Sequence, residues 1–278
     1  MIVRNKFRLA IRYVVLVLVA LFTLFPIILT ILGSLKSLGQ LQMDLFGLPN
    51  PVLWSNYRDV LDPKRSVFFT NLFNSTLIMA ATVSITILMA TMAGFALSKV
   101  KFLGRGLIYH YFLLEMLFPA AVAILPLYIE IRDMGLLDTY VGVILPQVAF
   151  GMPWFIMLAR GFFMLLPKEL EEAATIDGCG PWRYFAKIVI PLSAPILTTI
   201  GILSMVGSWN GYFLPLLILN SESLYTLPMG VMSFQGQYQF NWQLILAYLI
   251  LAMVPVFIFY LLAQKYIIAG LLGGAVKE

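Results

Sequence analysis

The densest charge in this chain lies in the run Pro167-Lys-Glu-Leu-Glu-Glu-Ala-Ala-Thr-Ile-Asp-Gly-Cys-Gly-Pro-Trp-Arg-Tyr-Phe-Ala-Lys-Ile-Val-Ile-Pro191. The chemistry it offers is docking. At helical spacing Leu170, Ala173, Ala174 and Asp177 fall on one side, a shallow apolar strip flanked by carboxylates such as Glu171 and Glu172, with alanines small enough for another surface to come close. The competing reading lays such a helix pair along the lipid interface, but three glutamates in four residues would be repelled by an anionic inner leaflet. Reactive constellations are missing. One cysteine, Cys179, and one histidine, His110, provide neither an intrachain disulfide nor metal-ligand spacing, so no metal or catalytic residue is assigned. No Gly-Lys dipeptide occurs, which removes the phosphate loop of ATP hydrolases, and neither G-x-S-x-G nor H-E-x-x-H is present.

Two short helices are predicted within this segment. Pro167 suits a first helical position, Glu169, Glu171 and Glu172 suit the positive end of the helix dipole, and Gly178 suits a left-handed cap. Pro181 then starts a second helix in which Trp182, Phe185 and Ile188 recur at three-residue spacing.

A second chemistry is that of sugar rings, which take aromatic stacking and hydroxyl hydrogen bonds. Trp209, Asn210 and Tyr212 combine both within four residues, although packing is the simpler reading. Glu115 lies inside an apolar run, where a carboxylate is costly and is read first as functional. It either lines a pathway or is satisfied by a neighbouring helix, while His110 is read as interfacial.

The elements that must position these residues are apolar helices. The chain of 278 residues is 61% hydrophobic and 11% charged, far from a soluble domain at about 45–50% and about 25%. A hydrocarbon core about 30 Å thick needs roughly 20 helical residues, and about six such windows are visible. They are Tyr13–Gly33, Asn71–Leu97, Gly106–Ile129, Thr139–Ala159, Leu192–Asn220 and Trp242–Ala263. Residues 1–12 then form an N-terminal cytoplasmic segment, 13–264 an all-α transmembrane domain containing the loop 167–191, and 265–278 a cytoplasmic tail. The first apolar run exceeds a signal-peptide core and has no small-residue cleavage site, so it is expected to stay as an anchor.

With the N-terminus inside, thirteen of the eighteen basic residues fall on inner segments, and the rest lie mostly in the longer first outer loop. Both termini are thus expected in the cytoplasm. A net charge of +5 spread between apolar runs offers no clustered basic face for nucleic acid. Prolines 119, 126, 146, 153, 195, 215 and 255 fall within or near the spans and favour kinked helices around a cavity or moving elements.

The pattern Glu172-Ala-Ala, three residues, Gly178, nine residues, Ile188, one residue, Ile190-Pro191 resembles the EAA loop of ATP-binding-cassette import permeases, with Ile190 where leucine is usual. Further pieces resemble the second permease subunit of maltose-type carbohydrate importers. These are Asn74-Ser75, Ala93-Gly-Phe-Ala-Leu-Ser-Lys99, Pro126-Leu-Tyr128, Gly135-Leu-Leu-Asp-Thr139, Trp209-Asn210 with Pro215-Leu-Leu217, Gln264-Lys-Tyr266 with Gly270, and Gly274-Ala-Val-Lys277. The resemblance implies a multi-pass permease of a prokaryotic cytoplasmic membrane. It implies that Glu171, Glu172, Ala173, Ala174, Asp177 and Gly178 couple to a cytoplasmic ATPase dimer that binds Mg-ATP. It implies two more partners, a homologous permease and an extracytoplasmic solute-binding protein. It implies a sugar as solute, an oligosaccharide first, with glycerol 3-phosphate or another polar solute as the alternative. An ion-gradient carrier is a competing class, for which only Glu115 and no internal repeat speak.

Overall fold

The computed structural model describes residues 2–234 and 240–273. Helices and turns build the described chain, with no extended strand among the described residues. The physical reason is the solvent: in hydrocarbon a backbone must satisfy its own polar groups, and an apolar segment does so as a helix.

Helix α1 spans Ile2–Ser34, followed by the short α2 (Leu38–Met43) and α3 (Ser55–Leu61). Then come α4 (Phe68–Lys99), α5 (Arg105–Glu115), α6 (Ala120–Asp133) and α7 (Tyr140–Leu165). The charged segment holds α8 (Lys168–Ile176), α9 (Pro181–Tyr184), a π-helical turn (Phe185–Val189) and α10 (Ile190–Leu192). Helices α11 (Ala194–Trp209), α12 (Phe213–Ile218) and α13 (Trp242–Gly273) complete the chain.

Among the described residues four helices are each long and apolar enough to cross a bilayer, with a fifth span if the pair Pro181–Leu192 and Ala194–Trp209, bent by 77°, is taken together. Two expected spans are divided. The run Gly106–Ile129 is broken between α5 and α6, because Pro119 lacks an N–H and disfavours helix at Phe118. The run Leu192–Asn220 bends at Ser193 and stops again at Asn210–Tyr212, before Pro215 in α12. The last helix outruns its expected end at Ala263, so residues 265–273 are helical, while the motif residues Gly274–Lys277 lie outside the described residues.

The chain forms two compact units. In the first, Met1–Phe69 with Gly230–Pro255, Asn56 Nδ2 donates to the carbonyls of Ser34 (2.7 Å) and Lys36 (2.9 Å). The fully buried Lys36 sends its ammonium to the carbonyls of Asp44 (2.8 Å) and Leu45 (3.0 Å), which satisfies a cation out of water. Tyr248 receives Phe68 and Phe234 edge-on at 5.4 and 5.5 Å.

The second unit, Thr70–Met229 with Val256–Glu278, holds the larger core, with Ile78, Ala90, Val143, Val148, Ile156 and Ile218 at its centre. Helices α4 and α7 touch at Gly94, where a Cβ would stand 2.7 Å from Ala159 Cβ and 2.9 Å from Arg160 N. A small residue is what lets two membrane helices approach so closely. At one end of this unit Asn74 Nδ2 donates to the carbonyls of Ser223 (2.9 Å) and Tyr225 (3.0 Å) and its Oδ1 accepts from Tyr140 OH (2.8 Å). Ser75 Oγ accepts from the N–H of Leu227 at 2.7 Å, so the Asn74-Ser75 pair clamps the 223–227 turn.

Candidate functional site

Helix α8 takes its shape from its own residues. Pro167 stands just before the helix with extended ψ, one position earlier than expected, and Glu169 and Glu171 occupy the first turn. At the other end Gly178 adopts φ +73°, and the N–H groups of Gly178 and Cys179 bond the carbonyls of Thr175 (3.0 Å) and Ala174 (2.8 Å). That is a Schellman cap, in which a left-handed glycine satisfies the last carbonyls of the helix. Pro181 then occupies the first turn of α9 as expected.

One side of α8 packs on the chain itself. Ala174, at 4% exposure, and Leu170 sit in a cluster with Phe95, Phe163, Tyr184, Phe185 and Val189. Phe95 lies 4.9 Å from the Phe185 ring and 6.1 Å from Tyr184. The expectation that Ala173 and Ala174 together face a partner therefore divides: Ala173 is exposed, whereas Ala174 is covered by this aromatic floor. Leu170 and Ala174, one turn apart, anchor the helix, and that rotation turns Glu169, Glu172, Ala173, Ile176 and Asp177 outward.

Lys99, the last residue of α4, braces α8. Its ammonium donates to the Leu166 carbonyl at 3.2 Å and lies 3.9 Å from the Glu171 carboxylate, with a side chain only 9% exposed. An open cavity of about 600 Å³ lies beside this contact, lined by Lys99, Lys101, Arg105, Lys168, Glu171 and Glu172 among others. One member of the outward surface, Ile176, was not singled out from sequence, and Trp182 was read only as part of the second helix's apolar spacing. Ile176 is 86% exposed and Trp182 is 65% exposed, large apolar groups beside Glu172 and Asp177. An isoleucine one turn after Glu172 on an otherwise polar strip was the signal available.

The sugar-chemistry candidates do not form one cluster. Trp209 is buried, edge-on to Phe259 at 5.6 Å, and borders an apolar cavity of about 190 Å³ with Val206, Val256 and Tyr260. That environment is packing. Asn210 is exposed, its amide returned to the Val206 carbonyl of its own helix at 3.0 Å, and Tyr212 is half exposed. Glu115 is partly exposed at the end of α5, its backbone carbonyl closing the turn to Phe118 and its carboxylate without a partner among the described residues. His110 Nδ1 lies 2.6 Å from the Gly106 carbonyl of its own helix. Among the described residues no three histidine, cysteine or acidic side chains gather to hold a metal.

Proline-broken apolar helices, with one short, capped, charged helix packed on an aromatic floor, define a polytopic membrane protein. The chain belongs to the binding-protein-dependent transport system inner membrane component family, whose model matches residues 1–271, and it is a permease subunit of the ATP-binding-cassette importer type. Among its relatives is the arabinooligosaccharides transport system permease protein AraQ of Bacillus subtilis (strain 168), 34% identical over 94% of this chain and 92% of that one. The trehalose transport system permease protein SugB of Mycobacterium tuberculosis (strain CDC 1551 / Oshkosh) is 34% identical over 94% of each. Among solved structures, a bacterial ABC transporter involved in the import of the acidic polysaccharide alginate matches with a TM-score of 0.82 at 27% identity, over 94% of this chain and 97% of that one.

Proposed function

We propose that this permease imports a sugar, taking its drive from ATP hydrolysed on separate ATPase subunits that bind Mg-ATP and receive α8. The observation that carries this reading is the two-sidedness of α8: Leu170 and Ala174 fasten it to the bundle while Glu172, Ala173, Ile176 and Asp177 stand free in this chain. A helix so held moves as one piece with α4 and the π turn, so force applied outside reaches the spans. ATP biases the permease only through a contact whose affinity differs between conformations, and the outward face of α8 supplies one.

The remaining partners are a homologous permease and an extracytoplasmic binding protein, with both termini in the cytoplasm. The names of relatives that transport arabinooligosaccharides and trehalose support a sugar as solute. Reconstitution of the complete importer with Glu172→Lys tests the reading. ATP-coupled uptake is expected to fall at least about tenfold, as reversal of an interfacial charge costs roughly 1.4 kcal/mol or more. Unchanged coupled uptake removes α8 from the coupling role, and uptake that ignores ATP depletion but stops with an uncoupler assigns the chain to gradient-driven transport.

A further inference from the structure

The larger unit contains a polar cluster that neither the coupling helix nor the end clamps use. Gln147, two turns into α7, accepts through Oε1 from the hydroxyls of Thr82 on α4 (3.1 Å) and Ser208 on α11 (2.7 Å). Both lone pairs of that oxygen are then used. Its Nε2 carries two N–H donors that make no hydrogen bond among the described residues. The amide stands at the break in the fifth span: a Cβ on Gly211 would lie 3.2 Å from Gln147 Nε2 and 3.1 Å from the Ser208 carbonyl. One turn from Thr82 along α4, the buried Thr86 hydroxyl has no partner, and one turn from Ser208 along α11 stands the buried Ser204.

Non-helical backbone at membrane depth persists only where protein covers it or where it lines a water-filled cavity. Interrupted helices are also where transporter folds place their solutes. The break at Asn210–Tyr212 adjoins an amide with free donors and hydroxyls on two neighbouring helices, and the cluster of Thr82, Thr86, Gln147, Ser204 and Ser208 contains no ionisable group. Amide donors and hydroxyls of this kind match the hydroxyl groups of a neutral polyol and offer a charged solute no counter-ion.

We propose that Gln147, oriented by Thr82 and Ser208, donates its amide N–H groups to hydroxyls of a neutral sugar as the solute crosses the membrane beside the Asn210–Tyr212 break. This rests on the sugar-import reading and narrows it, setting glycerol 3-phosphate aside. The competing role is interhelical glue, in which the amide only joins three helices.

The complete importer, reconstituted in proteoliposomes, separates these roles. Radiolabelled neutral mono-, di- and trisaccharides, with trehalose and arabinotriose among them, are compared with labelled glycerol 3-phosphate, and the sugar taken up fastest becomes the probe. Gln147→Met, which keeps the volume and removes the amide, is expected to lower probe uptake per ATP hydrolysed by about tenfold, roughly the loss of one hydrogen bond. Thr82→Val, which leaves the amide N–H groups in place, is expected to lower it by less than about threefold, while both variants, having lost hydrogen bonds to the amide oxygen, melt a few degrees lower. An unchanged ratio in Gln147→Met overturns the proposal and leaves sugar import standing. Equal losses in both variants, in step with equal falls in melting temperature, assign Gln147 to glue and also overturn it. Preference of the wild-type importer for glycerol 3-phosphate overturns the sugar reading itself.

Discussion

Asp138 takes a left-handed backbone, φ +58°, that few residues other than glycine tolerate. Its carboxylate accepts the N–H groups of Asn220 (2.8 Å) and Ser221 (2.9 Å) and the Ser221 hydroxyl, closing the start of α7 onto the end of α12. The Ser221 hydroxyl, then the Ser221 and Asn220 amides, hold this carboxyl below the usual carboxylate range. Because the folded state prefers the anion, the contribution is present above the unfolded value of about 3.9 and is lost as pH falls through the lower folded value. Melting in detergent is therefore expected to show a steeper loss for the wild type than for Asp138→Asn as pH falls below about 4. At neutral pH Asp138→Ala is expected to cost about 1–2 kcal/mol, from lost bonds and a strained backbone. Asn74→Leu strands the Ser223 and Tyr225 carbonyls and the Tyr140 hydroxyl, at an expected cost of about 2–3 kcal/mol by the same measurement.

At the scale of the element, α8 joins a cap, an anchor and a brace. A Cβ at Gly178 meets nothing within 4 Å, so Gly178→Val acts only through its left-handed backbone, which a β-branched residue tolerates least. This variant is expected to insert and assemble while losing most ATP-coupled uptake, and Gly178→Asn, which tolerates that conformation, is expected to restore much of it. Lys99→Met keeps the apolar stem but frees Glu171 and the Leu166 carbonyl. Uptake per ATP is expected to fall about fivefold, the effect of roughly 1 kcal/mol from the lost bond of the buried Lys99 ammonium to the Leu166 carbonyl, while hydrolysis continues. Equal uptake and hydrolysis ratios for Lys99→Met and wild type would show that α8 needs no brace from α4.

For the whole molecule, division of labour is the main consequence. The chain carries no phosphate loop and its charged helix faces outward, so the purified permease is expected to release no phosphate from ATP at any protein concentration. Activity is expected to appear only when ATPase subunits are added, and phosphate release by the chain alone would contradict the assignment. Gly94 supplies a test of the fold itself. Gly94→Leu places a side chain where Ala159 and the Arg160 backbone already stand, and is expected to lower the yield of folded permease more than any change on the outer face of α8.

Composition alone determined that this chain lives in a bilayer, since 61% apolar residues in long runs admit no soluble core. Local chemistry determined the charged helix pair, because Pro181 and Gly178 need only their own backbone geometry to start and stop helices. The resemblance around Glu172 is the source of the proposed coupling role, which the contacts of α8 neither require nor exclude. Tertiary structure alone decided which of two adjacent alanines is covered, as the rotation of α8 depends on Phe95 of α4, about eighty residues earlier in sequence. It also decided that the fifth span stops at Asn210–Tyr212, whereas the break in the third falls at Pro119, a proline already read from sequence as favouring a kink. The Gln147 cluster was hidden for the same reason: its three helices meet only after folding, and each contributes only one or two unremarkable polar residues.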